Sequence, residues 1–218
     1  MEFTELNQAR HSVRDFADRP VDPQLLRQIV IEAQQAPSWV NSQPWKVYIA
    51  TGKHLEEIKQ VFVEKDAVKE KSSSELATMP RSDWGGDAPA HMKEWGHDIV
   101  NHFDNYDQAH QTTTGLMEHL NHTPAIAYVT IPTSSPEWAI FDAGSFAQTL
   151  MLAAKDKGVD SIPTYNSVRF PRPIKRILGI PSSEKLVIGI ELGYASDAKV
   201  NSFRAPRIAV DEMLTILD

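Results

Sequence analysis

The amino-acid sequence predicts a single α+β domain. Its 218 residues are enough for one sizeable hydrophobic core. Segments with helical spacing and segments with strand-like patterns alternate along the chain. Neither an internal repeat nor a clear linker divides them. We therefore expect residues 1–218 to form one domain.

Capping residues and apolar spacing define the first elements. Asp22 and Pro23 predict a helix start, because aspartate caps helix N-termini and proline suits the first helical position. Apolar residues then recur at helical spacing until Pro37, where the segment ends. Residues 45–50 alternate as a strand does, and residues 53–66 have the pattern of a helix.

The stretch from about residue 64 to residue 122 differs in character from the rest. It is rich in Lys, Glu, Ser, His and Asp, and we expect a peripheral excursion of short helices rather than core. Its aromatic residues either select a ligand at a nearby site or pack locally. They are Trp84, Trp95, Phe103 and Tyr106.

The second half begins with residues 124–131, an apolar run typical of a buried strand. Residues 136–157 form a predicted helix with almost no polar face. Such a helix must be covered on all sides, so we expect a partner subunit to supply part of the cover. Residues 185–192 are a third predicted strand, and residues 210–217 a short terminal helix.

Composition excludes several classes of function. A net charge of −7 argues against nucleic acid as the main partner, because phosphate backbones require clustered Lys and Arg. The chain has no cysteine, which excludes disulfides, thiolate catalysis and iron–sulfur clusters. No apolar run has the length of a membrane span or of a signal peptide, so we expect a cytoplasmic protein without a membrane partner.

Common nucleotide and metal motifs are missing. No G-x-G-x-x-G follows a strand, and no P-loop motif exists, so any phosphate must be held by side chains. Glu118, His119 and His122 could share a helix face, but such proximity is expected by chance among eight histidines. We expect no metal site. No Ser-His-Asp triad can be inferred from residue order alone.

Near the N-terminus, Arg10, Ser12 and Arg14 occupy alternate positions. In an extended segment alternate side chains point the same way, so these three would converge on one ligand. Two guanidinium groups with a hydroxyl between them suit a phosphate monoester. The alternative is a solvated basic surface.

Three other segments have both a functional and an ordinary interpretation. Residues 36–45 form a polar loop pinned by prolines, either a ligand wall or a simple connection. Residues 162–167 form either an edge strand or the rim of a planar-ring site. Arg204 and Arg207 near the C-terminus are a second pair of candidate anion ligands or ordinary surface charge.

Taken together, four blocks resemble the FMN-dependent nitroreductase family. They are Arg10–Phe16, Ala36–Trp45, Asp142–Gly144 with the apolar run leading to Gly158, and Gly193-Tyr194 followed by Arg204 and Arg207. The resemblance covers nearly the whole chain and is thinnest over residues 64–122. It implies a nitroreductase-like fold, with a central, mostly antiparallel sheet flanked by helices. It also implies an intertwined homodimer with two FMN sites at its interface, each built from both subunits. We expect residues 64–122 to cover the open face of the site.

The resemblance also implies roles for individual residues. Arg10, Ser12 and Arg14 would hold the FMN phosphate and ribityl chain with His11 beside them, and Arg204 and Arg207 would join the phosphate. Pro37, Ser38, Trp39 and Asn41 would come from the other subunit, and Gln43 would approach the pyrimidine side of the flavin. Pro163, Thr164, Tyr165 and Asn166 would run along the isoalloxazine ring. Better-known members have an acidic residue and glycine where this chain has Tyr165-Asn166.

The implied activity is that of an FMN-dependent oxidoreductase. Hydride would pass from NADH or NADPH via FMN to a nitroaromatic, a quinone or a similar small acceptor, in a ping-pong cycle. The chemistry would belong to FMN, so no catalytic side chain is required. Two alternatives remain open: an FMN-binding protein without turnover, and a different flavin-dependent reaction, dehydrogenase or oxygenase, on the same scaffold.

Overall fold

The structure, a computed structural model, describes residues 2–217. Its α-helices are α1 (Phe3–Ala9), α2 (Pro23–Ala33), α3 (Gly52–Ala67), α4 (Ala88–Asn101), α5 (Tyr106–Glu118), α6 (Trp138–Asp156), α7 (Pro171–Leu178) and α8 (Val210–Met213). Its strands are β1 (Lys46–Thr51), β2 (Ala125–Pro132), β3 (Asp160–Thr164) and β4 (Glu184–Gly193).

The four strands form one sheet in the order β1-β2-β4-β3, and every neighbouring pair is antiparallel. Strand β2 lies in the interior with its residues Ala125–Ile131 buried. Its alternate residues point to opposite faces of the sheet, which explains why the sequence pattern is continuously apolar. The expected α+β fold with an antiparallel sheet is confirmed.

Helices cover both faces of the sheet. On one face, α2 and α6 bury Ile29, Phe146 and Leu150 against the sheet. On the other face, α3 and α7 bury Phe62 and Ile174 in a second core. Each of these large apolar side chains contributes roughly 1.5–3 kcal/mol to stability by its burial.

The predicted elements outside residues 64–122 correspond to α2, α3, α6 and three of the strands. The terminal helix is an exception, because α8 ends at Met213 and Leu214 is already extended. The prediction that it continues to Leu217 is therefore wrong. All residues of α8 are exposed, and a short helix without a packed face does not offset the cost of its nucleation.

Two helices were not expected. Helix α7 begins with Pro171 at its first position and ends at Gly179, which adopts a left-handed φ of 65°. These two residues are the start and stop signals of a helix, so its prediction from the sequence was possible. Helix α1 lies directly before the Arg10 segment and buries none of its residues.

Residues 64–122 contain α4 and α5, helices of 14 and 13 residues. They build a small core of their own, in which Ile99 and Phe103 pack with Val200 and Phe203. The excursion is thereby joined to the C-terminal segment. Among residues 2–217, no helix has both the length and the apolar character needed to cross a bilayer.

Candidate functional site

The N-terminal basic segment is extended and runs beside β3. Helix α1 ends at Ala9, and Arg10 already has extended dihedrals of φ −69° and ψ 121°. Ser12 forms a parallel bridge with Ser161, and the Val13 N–H donates to the Ser161 carbonyl over 3.1 Å. The predicted extended conformation is present.

The two ends of the chain meet around one cavity of about 440 Å³. Every residue that the sequence analysis predicted to bind the phosphate contributes to the wall of this cavity. The lining consists of Asn7, Gln8, Arg10, His11, Ser12, Arg14, Phe203, Arg204, Ala205 and Arg207. Residues separated by almost the whole sequence are thus brought to one place.

The arginines of this cavity have no acidic partner among residues 2–217. Arg14 Nη1 donates to the Ser12 carbonyl over 3.0 Å, and Arg204 Nη1 donates to the Asn201 carbonyl over 2.7 Å. Within the described part of the chain, Arg207 likewise donates only to main-chain carbonyls. The Nε of Arg10 is buried and makes no hydrogen bond to any of the described residues. Because a buried donor without a partner is costly, the arrangement calls for an external acceptor.

Burial and like charge act on these groups together. Burial lowers the pKa of Arg14, and burial together with the nearby charge of Arg207 lowers the pKa of Arg10. Arginine nevertheless stays protonated at neutral pH because its ordinary pKa is so high. A bound anion would offset both the desolvation and the repulsion, so the site fits a phosphate.

His11 is a neutral companion of this cluster. Burial and the charges of Arg204 and Lys155 lower its pKa, although its Nδ1 lies 3.0 Å from the Ala9 carbonyl oxygen, a contact that favours the protonated form. With its Nδ1–H donating to that carbonyl, the neutral imidazole can accept one further hydrogen bond at Nε2. It would therefore add polarity to the wall without adding charge.

Asn201 is a positioning residue that was missed in the sequence. Its Oδ1 accepts the N–H groups of Arg14 (2.8 Å) and Asp15 (3.2 Å), and its Nδ2 donates to the Asp15 carbonyl over 2.7 Å. The Arg14 guanidinium lies 5.7 Å from the ring centroids of Trp95 and Phe203. One asparagine thus holds the N-terminal basic segment against the C-terminal segment, and two aromatic rings lie beside the Arg14 guanidinium.

The segment predicted to follow the flavin ring continues from β3. Pro163 and Tyr165 are exposed, whereas Asn166 is buried and donates its Nδ2 to the Met117 carbonyl over 2.7 Å. Ser161 lies beside Ser12, and an extended chain covers roughly 10 Å over the three residues that follow. That spacing suits a ligand with an anionic tail at one end and a planar ring at the other.

Residues 37–43 do not line the arginine cavity within one chain. They form a loop with a short 3-10 turn at Trp39–Asn41, and Trp39 is 57% exposed. Pro37, Asn41 and Gln43 are also exposed, and Ser38 is half-buried. Within one chain, therefore, this loop is not part of the wall of the arginine cavity.

An aromatic patch lies beside this loop. The Trp39 and Trp138 rings are 5.0 Å apart, and the Trp138 and Phe141 rings are 6.0 Å apart. Trp138 is 55% and Phe141 is 66% exposed, so the start of α6 presents large apolar surface. We call Trp39, Trp138 and Phe141 the aromatic patch. Exposed apolar clusters of this kind mark interaction sites.

The aromatic residues of the excursion divide into two groups. Phe103 is buried in the small core with Phe203, and the Trp95 ring packs edge-on against Phe203, so these side chains serve packing. Trp84 and Tyr106 are exposed. The alternative of local packing is therefore correct for the first pair.

Comparison with known proteins identifies nitroreductases both by a family model and by sequence identity. The family model described as the nitroreductase family matches residues 8–194. The chain is 30% identical over 210 residues to a 4-nitrobenzoate reductase of Pseudomonas putida, covering 94% of this chain and 91% of that protein.

Two solved structures are also similar over nearly their full length. One is the FMN-dependent nitroreductase NfnB of Mycobacterium smegmatis in complex with NADPH, with a TM-score of 0.87, 26% identity and coverage of 99% of this chain and 97% of that one. The other is the FMN- and NADPH-dependent nitroreductase NfnB of a sphigopyxis strain, with a TM-score of 0.89, 24% identity and full coverage of both chains.

Proposed function

This chain belongs to the nitroreductase family, and from that premise we propose that it is an FMN-dependent oxidoreductase. It transfers hydride from NADH or NADPH via FMN to a small acceptor, a nitroaromatic or a quinone, in a ping-pong cycle. The observation that carries the proposal is the cavity where four arginines meet without an acidic partner in the described chain. The relatives named for 4-nitrobenzoate reduction and for FMN and NADPH support it.

The arginine cavity is proposed to hold the phosphate end of FMN. Arg10 offers its unpartnered Nε, and Arg14, Arg204 and Arg207 add charge around the same volume. Ser12 adds a hydroxyl donor between the two N-terminal arginines. Charge-assisted bonds of this type are about twice as strong as neutral ones, so this end dominates affinity.

The ring end is proposed to lie along residues 163–166. Pro163 and Tyr165 present exposed surface there, and Thr164 and Asn166 hold the turn through a 3.0 Å bond from the Asn166 N–H to Thr164 Oγ1. When bound, FMN supplies the redox chemistry, taking hydride from the nicotinamide and passing two electrons to the acceptor. The protein orients the ring and limits access of water, while residues 64–122 cover the open face and select acceptors.

A homodimer is proposed because the site is incomplete in one chain. Residues 37–43 carry polar groups but lie away from the arginine cavity, and the neighbouring aromatic patch is uncovered. A second copy would cover the aromatic patch and bring Ser38, Trp39 and Asn41 to the flavin of its partner. We place the activity in the cytoplasm, where NADH and NADPH are available.

The dimer proposal predicts the effect of a charge in the aromatic patch. Phe141→Glu places an unpaired carboxylate where apolar surface would be buried, so we expect dimer affinity to fall by at least about tenfold. Sedimentation velocity over a dilution series that reaches the dissociation of the dimer measures its Kd. Val68→Glu, a similarly exposed apolar position outside the patch, is the control. An unchanged dimer Kd for Phe141→Glu, or a monomeric wild type, contradicts the proposal.

The visible spectrum of the purified protein tests the activity. After incubation with FMN and removal of the excess, the protein should be yellow, and anaerobic NADPH or NADH should bleach it. Addition of 4-nitrobenzoate or a quinone should then restore the colour. A protein that stays yellow with both nucleotides is a flavin carrier, and one that takes up no FMN overturns the proposal altogether.

A further inference from the structure

Asp142 is a buried carboxylate within the apolar helix α6. It lies in the first half of α6 and is 3% exposed. Aspartate is a poor helix former, and a buried carboxylate is costly unless it is paired or hydrogen-bonded. No ion pair among residues 2–217 includes Asp142.

Its hydrogen bonds go to the loop of residues 38–43. The Trp39 N–H is shared between its two oxygens, at 3.2 Å from Oδ1 and 3.1 Å from Oδ2. The Ser42 hydroxyl donates to Oδ2 over 3.2 Å. The carboxylate therefore binds the loop on both sides of residues 40–41, at Trp39 and at Ser42.

The loop that these bonds hold is strained. Val40, Asn41 and Gln43 have left-handed φ angles of 47°, 59° and 44°. A branched side chain disfavours this region strongly, and such conformations persist only where the surroundings impose them. Val40 is 88% exposed, so its own packing does not impose it.

Bonds within the loop shape it without fixing it to the rest of the protein. The Asn41 N–H donates to the Ser38 carbonyl over 3.0 Å, and the Gln43 N–H donates to Ser38 Oγ over 3.0 Å. Asp142 and the contact of Trp39 with Trp138 connect this turn to α6.

We propose that Asp142 is a positioning residue that holds the 38–43 loop in the conformation in which Ser38 and Asn41 reach the flavin of the partner subunit. The inference rests on the proposed function. It assigns to Asp142 no contact with substrate or cofactor. Its effect on FMN passes through the loop alone.

Asp142→Asn is the direct test. The amide keeps one acceptor but turns an NH₂ group toward the donors of Trp39 or Ser42, so the loop loses a charge-assisted bond. We expect the Kd for FMN, from fluorescence titration of the apoprotein, to rise about tenfold or more. Glu137→Gln, an exposed carboxylate at the start of the same helix, should leave the Kd unchanged.

Ser42→Ala provides a milder variant that retains Asp142. It should weaken FMN binding less than Asp142→Asn, and the double variant should be no weaker than Asp142→Asn alone, because both remove the same link. A role confined to helix stability would lower the melting temperature of the apoprotein without moving the Kd of the folded fraction. That result, or additive effects in the double variant, overturns the inference.

The wild type separates this inference from the proposed function. A wild-type chain that binds no FMN ends the proposed function itself. A wild type that binds FMN together with an Asp142→Asn variant of equal affinity removes only the role of Asp142.

Discussion

Arg10→Ala and Arg14→Ala should each weaken FMN binding by about 1.5–3 kcal/mol, roughly 10- to 150-fold in Kd. Within residues 2–217, Arg10 has a buried Nε without a partner, and Arg14 carries a half-buried charge that no carboxylate neutralises. Both groups are therefore ready for an anion, and each alanine removes a charge-assisted contact.

Isothermal titration of the apoprotein with FMN measures both effects. Arg176→Ala is the matched control, because Arg176 is an exposed arginine of α7 that does not line the cavity. It should bind FMN as the wild type does. If both cavity variants keep full affinity while folded, the phosphate does not bind in this cavity.

Glu191→Gln should remove a pH dependence of stability worth about 3 kcal/mol. Glu191 lies in β4, fully buried, and accepts hydrogen bonds from Asn121 Nδ2 and Ser167 Oγ at 2.6 Å each. These bonds and the charge of Lys59 favour the carboxylate, but burial outweighs them and raises its pKa to about 7.

Because the pKa of Glu191 is raised in the folded protein, the free energy of unfolding falls as the pH rises. Between the ordinary pKa of 4.5 and the folded value of about 7, the folded protein retains a proton that the unfolded chain releases. A rise in pH through this window therefore favours unfolding. The stabilising contribution is complete below pH 4.5 and is lost by about pH 8.

Urea unfolding of the wild type and of Glu191→Gln at pH 5, 6, 7 and 8 measures this difference. The free energy of unfolding of the variant should fall less over this range, because glutamine does not titrate. Glu57→Gln, at an exposed position on α3, should follow the wild type. Parallel pH profiles for wild type and Glu191→Gln would show that Glu191 stays ionised in the folded protein.

The sequence was sufficient for features that depend on local pattern. The alternation of Arg10, Ser12 and Arg14 predicted an extended segment with converging side chains, and the cavity contains all three. The nearly all-apolar pattern of residues 136–157 predicted a helix, and α6 is present there, with Trp138 and Phe141 exposed in one chain.

Features that depend on residues far apart in the chain could not be predicted from the sequence. Asp142 reads as one polar residue in an apolar helix until its bonds to Trp39 and Ser42 are known. Glu191 is likewise hidden within a predicted strand, and its partner Asn121 lies 70 residues away. Such roles arise from tertiary packing, which residue spacing does not encode.

The most direct test of the central claim compares FMN with riboflavin, which has the same ring and ribityl chain but no phosphate. If the arginine cavity holds the phosphate, the wild-type apoprotein should bind FMN at least about 100-fold more tightly than riboflavin. Titration by flavin fluorescence gives both constants under one condition. Equal affinity for the two flavins would contradict the claim, because the four arginines would then contribute nothing to recognition.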